Sequence, residues 1–511
     1  MKKITAVFLG AVLGCCTTVG LFGCAQGPGK DNNKNDTLTY YFDSVSGSDS
    51  ADGRSETSAF KSLSPLYSLE VTPGTVLAFK GEFQGNISFS GSGTKENPIV
   101  LKSYGEKRAL IDGTDRMNCL FLQNQSHIVI DNLEFTLNEE GSAKRNGIYI
   151  TADKGIVGDI TIRNCYIHDV TGTWIKPDYY DSAGINIRYL ADASLENKFE
   201  NILIENTRIE RVVGLGMRIG DSAEGIGEDA VHPYFGNIVV RNVTIDSTSN
   251  DGIILQDCYK PVVEYSKILR VGTLFPDPGR ADYYHCAVWS CATESPLYQF
   301  NEVAYTTYVS GDGQAFDTDW GSRGTAVWQY NYTHDNEGGV LLRHENFNGI
   351  FKNNVSVNDG CERVGRGLIF HSFIDVGEGV FEAMNNIFYN DAHDLQISFG
   401  FTDPSCTAWE KKDSSLDRFY DNVFVFPNQD VEWGSSMIYS GNAYFCLNGT
   451  TQAPVQDESS YVGNPFRQIE SLPADIMSVA SCFVFNDEAQ GKTFGVEDLS
   501  AFVIAQSGAN F

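Results

Sequence analysis

The chain has 511 residues, 50 of them Gly and 15 Pro, and a formal charge of −29. Phosphate binding needs a basic face, so this balance argues against nucleic acid, and against a polyanionic glycan unless a cation or clustered arginines intervene. Apolar residues make up 42% of the chain, which excludes disorder and is enough for one or two large cores at this length.

Lys2 and Lys3 precede an apolar run from Ile4 that ends in Leu21-Phe22-Gly23-Cys24. This is the layout of an export signal. Leu and Gly ahead of the Cys resemble a bacterial lipobox, which implies lipid on Cys24, with Cys15 after Leu13-Gly14 as a competing site. The expected organisation is a lipoprotein signal peptide over 1–24, a flexible tether over 25–37, a catalytic domain over 38–465, and C-terminal coils with a cap over 466–511. The expected location is exported and lipid-anchored, at the bacterial cell surface or periplasmic face. No second apolar run is long enough to span a bilayer. Nine cysteines follow Cys24 without any C-x-x-C. They read as buried thiols, and no metal site is expected from them.

From residue 38 onward a motif recurs: alternating apolar residues, then Asn. It appears at Ile128-Val129-Ile130-Asp131-Asn132, Ile160–Asn164, Ile202–Asn206 and Ile238–Asn242. Looser copies end at Asn301, Asn331, Asn354, Asn386 and Asn422, and Tyr265 takes the Asn place in one more. Most copies are followed by a strand opening with Gly, as at Gly147, Gly184, Gly216, Gly252, Gly339 and Gly367. Two short strands per unit cannot close a core alone, but stacked units can. The repeated Asn is expected to ladder from coil to coil at the bend. A short helical cap around Ala59 to Leu69 is expected to close the N-terminal end, and Cys482-Phe483-Val484-Phe485 reads as a further packed strand.

These repeats resemble the right-handed parallel β-helix proteins of bacteria. Tyr40-Tyr41-Phe42, Gly47–Gly53, Pro73-Gly74-Thr75 and Pro98-Ile99-Val100 with Ser103-Tyr104-Gly105 are similar to the opening coils of carbohydrate-active members. The resemblance implies an all-β solenoid of about ten coils acting on carbohydrate. Asp49 and Asp52 read as Asx turns before calcium ligands.

In the Gly-led strands the first and third residues after Gly should face inward, the second and fourth outward. With Ala315 in the Gly place, Asp317 and Asp319 face outward, because burying two unpaired carboxylates is far costlier. The outward stripe then holds Arg188, Arg218, Gln256, Arg343 and His371. Loops with Trp174, Tyr179, Tyr180, Tyr283 and Tyr284 flank it, and aromatics beside a polar wall suit sugar rings.

Glycoside hydrolysis needs two carboxyl groups. Neighbours two apart on a strand lie about 6.6 Å apart and stacked ones about 4.8 Å, so either inversion or retention is open. Some β-helix glycosidases use acids on neighbouring coils, which implies Asp317 or Asp319 with Glu337. His334 and His344 are candidates for orienting substrate. The expected substrate is a poly- or oligosaccharide, with no cofactor required, calcium possible, and a monomeric chain.

The competing reading is a calcium-dependent polysaccharide lyase: Leu342-Arg343-His344 with Asn346 resembles a lyase motif, but Glu345 stands where Gly is expected. That alignment places Asp319 where a lyase has its Lys base. A third reading is a glycan-binding surface protein without turnover.

Overall fold

The computed structural model describes residues 38–503, apart from 140, 191–197, 221–234, 276–283, 310–311, 344–347, 361–366, 369, 373–378, 398, 401–416, 430, 432, 434–436, 455–456 and 470. The signal, tether and Cys24 expectations lie outside the described residues, as do His344 and Tyr283.

Among the described residues the chain winds as a parallel β-helix with three long sheets, of fifteen, fourteen and ten strands, and a small two-stranded one. One turn runs from the third sheet (Asn146–Ala152) through the first (Ile156–Arg163) and second (Tyr166–Val170), then back to the third at Ala183–Tyr189. There are thus three strands per coil where the repeat suggested two. The extra one is short and reads as part of the bend. The ten-stranded sheet carries the Gly-led strands except Gly367–Leu368, which pairs with Leu395–Gln396 in the two-stranded sheet, and the other two long sheets run on past it.

Register explains the repeat. Ile128, Ile160, Ile202 and Ile238 pair in sequence along the first sheet and are at most 1% exposed. Each buried side chain of this kind is worth about 1.5–3 kcal/mol, but only when a neighbouring coil covers it.

The Asn repeat divides into two devices. Asn132, Asn164, Asn206 and Asn242 sit in the left-handed region at φ of 56°, 55°, 49° and 49°, a conformation Asn tolerates. Tyr265, Phe300 and Tyr330 then take that corner position, with ring centroids 5.2 Å apart at both steps. The Asn moves one residue on. Asn301, Asn331, Asn354, Asn386, Asn422 and Asn442 form a buried ladder in which each amide donates to the next side-chain oxygen at 2.9–3.1 Å. Asp457 ends it by accepting from Asn442 at 2.9 Å.

Two single-turn 3-10 segments, Glu56–Ser58 and Ser64–Ser68, stand where a helical cap was expected, and Phe60, Leu63 and Leu66 are buried there. The C-terminal segment does not add a strand at Cys482: residues Val479–Cys482 form a helical turn. Phe466, Ile476, Val479, Phe483 and Phe494 pack on the outer face of the second sheet, against Val355, Val357, Ile387 and Val423. Runs such as Val423-Phe424-Val425-Phe426 are therefore apolar on both faces. Apolar residues that pair with a preceding sheet read as strand, which is why the sequence suggested one at Phe483.

Asn354→Ala strips partners from the Asn331 backbone and side-chain amides and from the Trp328 carbonyl. It should lower unfolding free energy by about 2–4 kcal/mol, against less than about 1 kcal/mol for Asn206→Gly, where glycine accepts the positive φ. Urea midpoints of the two variants check this.

Candidate active site

Four aspartates from two coils, one on either side of a coil that supplies Cys286 and Trp289, meet on the outer side of the third sheet. Asp251 lies in the turn before the strand Ile253–Gln256. The next coil contributes the strand Val288–Cys291, with Cys286 before it. The following coil contributes Asp312, Asp317 and Asp319, in and around the strand Gln314–Thr318. Trp289 lies beneath Asp317 in register, and Leu342 lies above it.

Local backbone sets each position. Asp312 has φ of 59° and is followed by Gly313 at φ of 87°. A Cβ on Gly313 would stand 2.8 Å from the Thr307 carbonyl oxygen, so this turn needs glycine. Asp319 lies one residue past the end of its strand, and its N–H donates to the Ser290 carbonyl at 2.7 Å.

The cleft has a volume of about 290 Å³. Asp251, Asp312, Asp317 and Asp319 form its acidic side, and Tyr179, Tyr180, Tyr284, Trp289 and Trp320 supply aromatic walls. Lys176 is the cation among the described lining residues, with its Nζ 5.7 Å from the Tyr284 ring centre. Asp317 and Asp251 are each 5% exposed, whereas Asp312 and Asp319 are half-buried and open to the cleft.

Burial and mutual repulsion hold these acids above the ordinary carboxyl range. Burial pushes Asp312 up to about 7, with the charge of Asp319 adding to it and Lys176 opposing. Burial also takes Asp319 to about 7, against the stabilising Trp289 Nε1–H, which donates to its Oδ2 at 2.8 Å, and Lys176. Asp251 reaches about 7 through burial, although the Cys286 N–H donates to it at 2.8 Å. Asp317 is driven well above the usual value by burial and then by Asp319, Asp312 and Asp251. The group therefore shares protons at neutral pH.

The predicted polar stripe is present but does a different task. Arg218 is 2% exposed; it donates to the Tyr180 carbonyl at 3.0 Å and to Gln256 Oε1 at 2.9 Å. Its guanidinium lies 5.2 Å from the Tyr180 ring centre. Arg188 pairs with Asp181, and Asn186 also donates to the Tyr180 carbonyl, at 3.3 Å. Arg188, Arg218 and Gln256 therefore brace the loop that presents Lys176, Tyr179 and Tyr180. Tyr180 in turn packs on Trp289, with ring centres 6.2 Å apart.

Arg343 is a correction. It pairs in register with Thr318, the inward column, not with Asp319. It is 1% exposed, ion-paired with Asp417 at 3.3 Å and stacked over Phe381 at 4.4 Å. The cause is a one-residue offset, because Gly339 pairs with Gln314 and not with Ala315. The same offset puts Leu342 in the Asp317 column, and the backbone of His371 follows it.

Glu337 lies outside the cleft lining, and its Oε2 accepts the Tyr308 N–H at 2.6 Å. His334 belongs to the second sheet. Burial lowers its pKa, but hydrogen bonds with Asp335 and Glu302 outweigh burial and hold it at about 9. Trp174 is half-buried, and its carbonyl accepts from Asn250 at 3.5 Å. Asp251 and Asp312 were missed because each stands before a Gly, where Asp reads as a turn former. Trp289 was missed because its strand carries no leading Gly.

The chain matches the family described as right handed beta helix region over residues 111–291. A lacto-N-biosidase from Bifidobacterium longum subsp. longum is 24% identical across 76% of this chain and 29% of that protein. The crystal structure of a GH136 lacto-N-biosidase from Eubacterium ramulus superposes with a TM-score of 0.58 at 22% identity, covering 72% of this chain and 66% of that one. The selenomethionine form of that enzyme gives 0.55. The fold class is thus the right-handed parallel β-helix. The chain spans less than a third of the curated relative's length.

Folded Asp251, Asp312 and Asp319 titrate at about 7, against an ordinary value of 3.8. Between those values the native state holds protons that the unfolded chain has released, so stability falls as pH rises through the window. The urea midpoint should be lower at pH 8 than at pH 5. Asp317→Asn should raise it at pH 8 by an amount worth on the order of 1–2 kcal/mol.

Proposed function

We propose that the chain is a glycoside hydrolase acting on an oligosaccharide, with Asp312 and Asp319 as the carboxyl pair. The observation that carries this is that these two acids are the more exposed members of the group, that the charge of Asp319 acts on Asp312, and that both hold a proton near neutrality. Hydrolysis needs one protonated carboxyl to protonate the leaving oxygen and one carboxylate to attack or to activate water. The proton belongs to the pair, so the two roles are shared by a coupled titration. Asp317 and Asp251 lie deeper in the same cleft. The aromatic walls give sugar rings apolar faces to stack on. The names of the two relatives make lacto-N-biosidase activity the first to assay. No cofactor is part of this reading.

The lyase reading is disfavoured by the same geometry. Four aspartates against one Lys repel a uronate, and Arg343 is locked to Asp417 inside the helix. We further propose, from the lipobox resemblance, that the protein is exported and anchored through Cys24. Cys24→Ala should abolish labelling by a fatty-acid probe in a bacterial host.

Full-length protein assayed on lacto-N-biosidase substrates and a wider glycan panel should release new reducing ends without unsaturated-uronate absorbance. Absorbance rising with the reducing ends would instead mean a lyase. Asp312→Asn and Asp319→Asn should each lower kcat by about 10²–10⁴-fold, while Glu337→Gln should stay within severalfold of the unaltered enzyme. Full activity in either Asp variant would sink the pair assignment. The pH profile of kcat/KM should fall above about 7, where the shared proton is lost.

A further inference from the structure

Cys286 is 1% exposed and its Sγ lies 3.7 Å from Asp317 Oδ2 and 3.5 Å from Gln314 Oε1. An oxygen of Asp312 completes a set in which the sulfur and both carboxylate oxygens lie within 4.8 Å of one another. Asp317 is 5% exposed, and its Oδ1 has no hydrogen-bond partner among the described residues. A carboxyl oxygen buried without a donor is rare in folded proteins. Zinc bonds of about 2.3 Å to sulfur and about 2.0 Å to oxygen, opened to a tetrahedral angle, hold two such ligands about 3.5 Å apart. The Cys286–Asp317 edge is close to that length.

We propose that Cys286, Asp312 and Asp317, with the Gln314 amide oxygen beside them, bind a thiophilic divalent cation of the zinc class. The sulfur decides the class: calcium and magnesium take oxygen ligands, whereas zinc accepts thiolate together with carboxylate. On binding, the S–H bond breaks, its proton and any proton held on the two carboxyl groups pass to solvent, and sulfur–metal and oxygen–metal bonds form, with no change of oxidation state. Occupation ties up Asp312 and so blocks turnover. That consequence rests on the hydrolase reading, whereas the binding itself does not.

The test titrates full-length protein with zinc against a chromophoric chelator, and with cobalt(II) for its optical spectrum. A single saturable zinc site and a thiolate-to-cobalt charge-transfer band in the near ultraviolet are expected. Cys286→Ser should lose the band and weaken zinc binding roughly tenfold or more. Asp317→Asn should also weaken binding, and Cys119→Ser, at a different buried thiol, should change neither readout. Absence of saturable binding, a cobalt complex without the thiolate band, or equal zinc binding by Cys286→Ser would overturn the site. In turnover assays zinc should inhibit the unaltered enzyme at concentrations that spare Cys286→Ser. Binding without inhibition would overturn the regulatory consequence alone.

Discussion

Parallel pairing between coils is the constraint on which the rest of this molecule depends. Each strand takes its register from the one beneath it, so the place of a side chain is inherited along a column. Ile254, Trp289, Asp317 and Leu342 form one such column. Asp317 is buried because the residues below and above it are large and apolar. Asp319, one residue past the end of the same strand, escapes that column and opens to the cleft. Two carboxyls two residues apart thus acquire different surroundings without any special loop.

Holding four aspartates together opposes folding, and the solenoid accommodates this by keeping protons on the group. A looser scaffold would let the acids separate and ionise. Here the turns that carry Asp251 and Asp312 are tied into the ladder: Gly216 donates to the Asp251 carbonyl, and Gly338 donates to the Gly313 carbonyl. Raised carboxyl pKa values at an open cleft are what acid catalysis at neutral pH requires, so the instability of the group and its chemistry have one origin.

The fold was legible because a solenoid writes its core many times over. Ile160, Ile202 and Ile238 carry the same message, and one degenerate copy at Tyr265 does not erase it. The site is written once. Asp317 and Asp319 were visible as acids interrupting a strand pattern, but their partners come from turns, where Asp has an ordinary structural reason to be. Register errors matter equally. One residue of offset in Gly339–Arg343 exchanges the two faces of a strand, and this turned a buried Arg343–Asp417 pair into an apparent groove residue. Arg188, Arg218 and Gln256 lie on the outer face of the third sheet, where the alternation of the Gly-led strands pointed. Their work of bracing a loop follows only from the loop's position, which no column pattern encodes.

Coil length explains why the chemistry sits on the third sheet. The segments linking first-sheet to second-sheet strands are short and sharply cornered, as the run of left-handed Asn and aromatic residues shows. The outer face of the second sheet is covered towards its C-terminal end by residues from Phe466 onward. The connections on both sides of the third sheet are where coils differ in length, and on the entry side the segment from Thr171 to Ser182 brings Lys176, Tyr179 and Tyr180 over the sheet. A β-helix can vary a connection there without disturbing the inward columns, because Ile185 and Met217 stay paired whatever precedes them. The scaffold thus separates the residues that hold it together from those that meet a ligand, and a cleft can be assembled from four coils while the core beneath it stays regular.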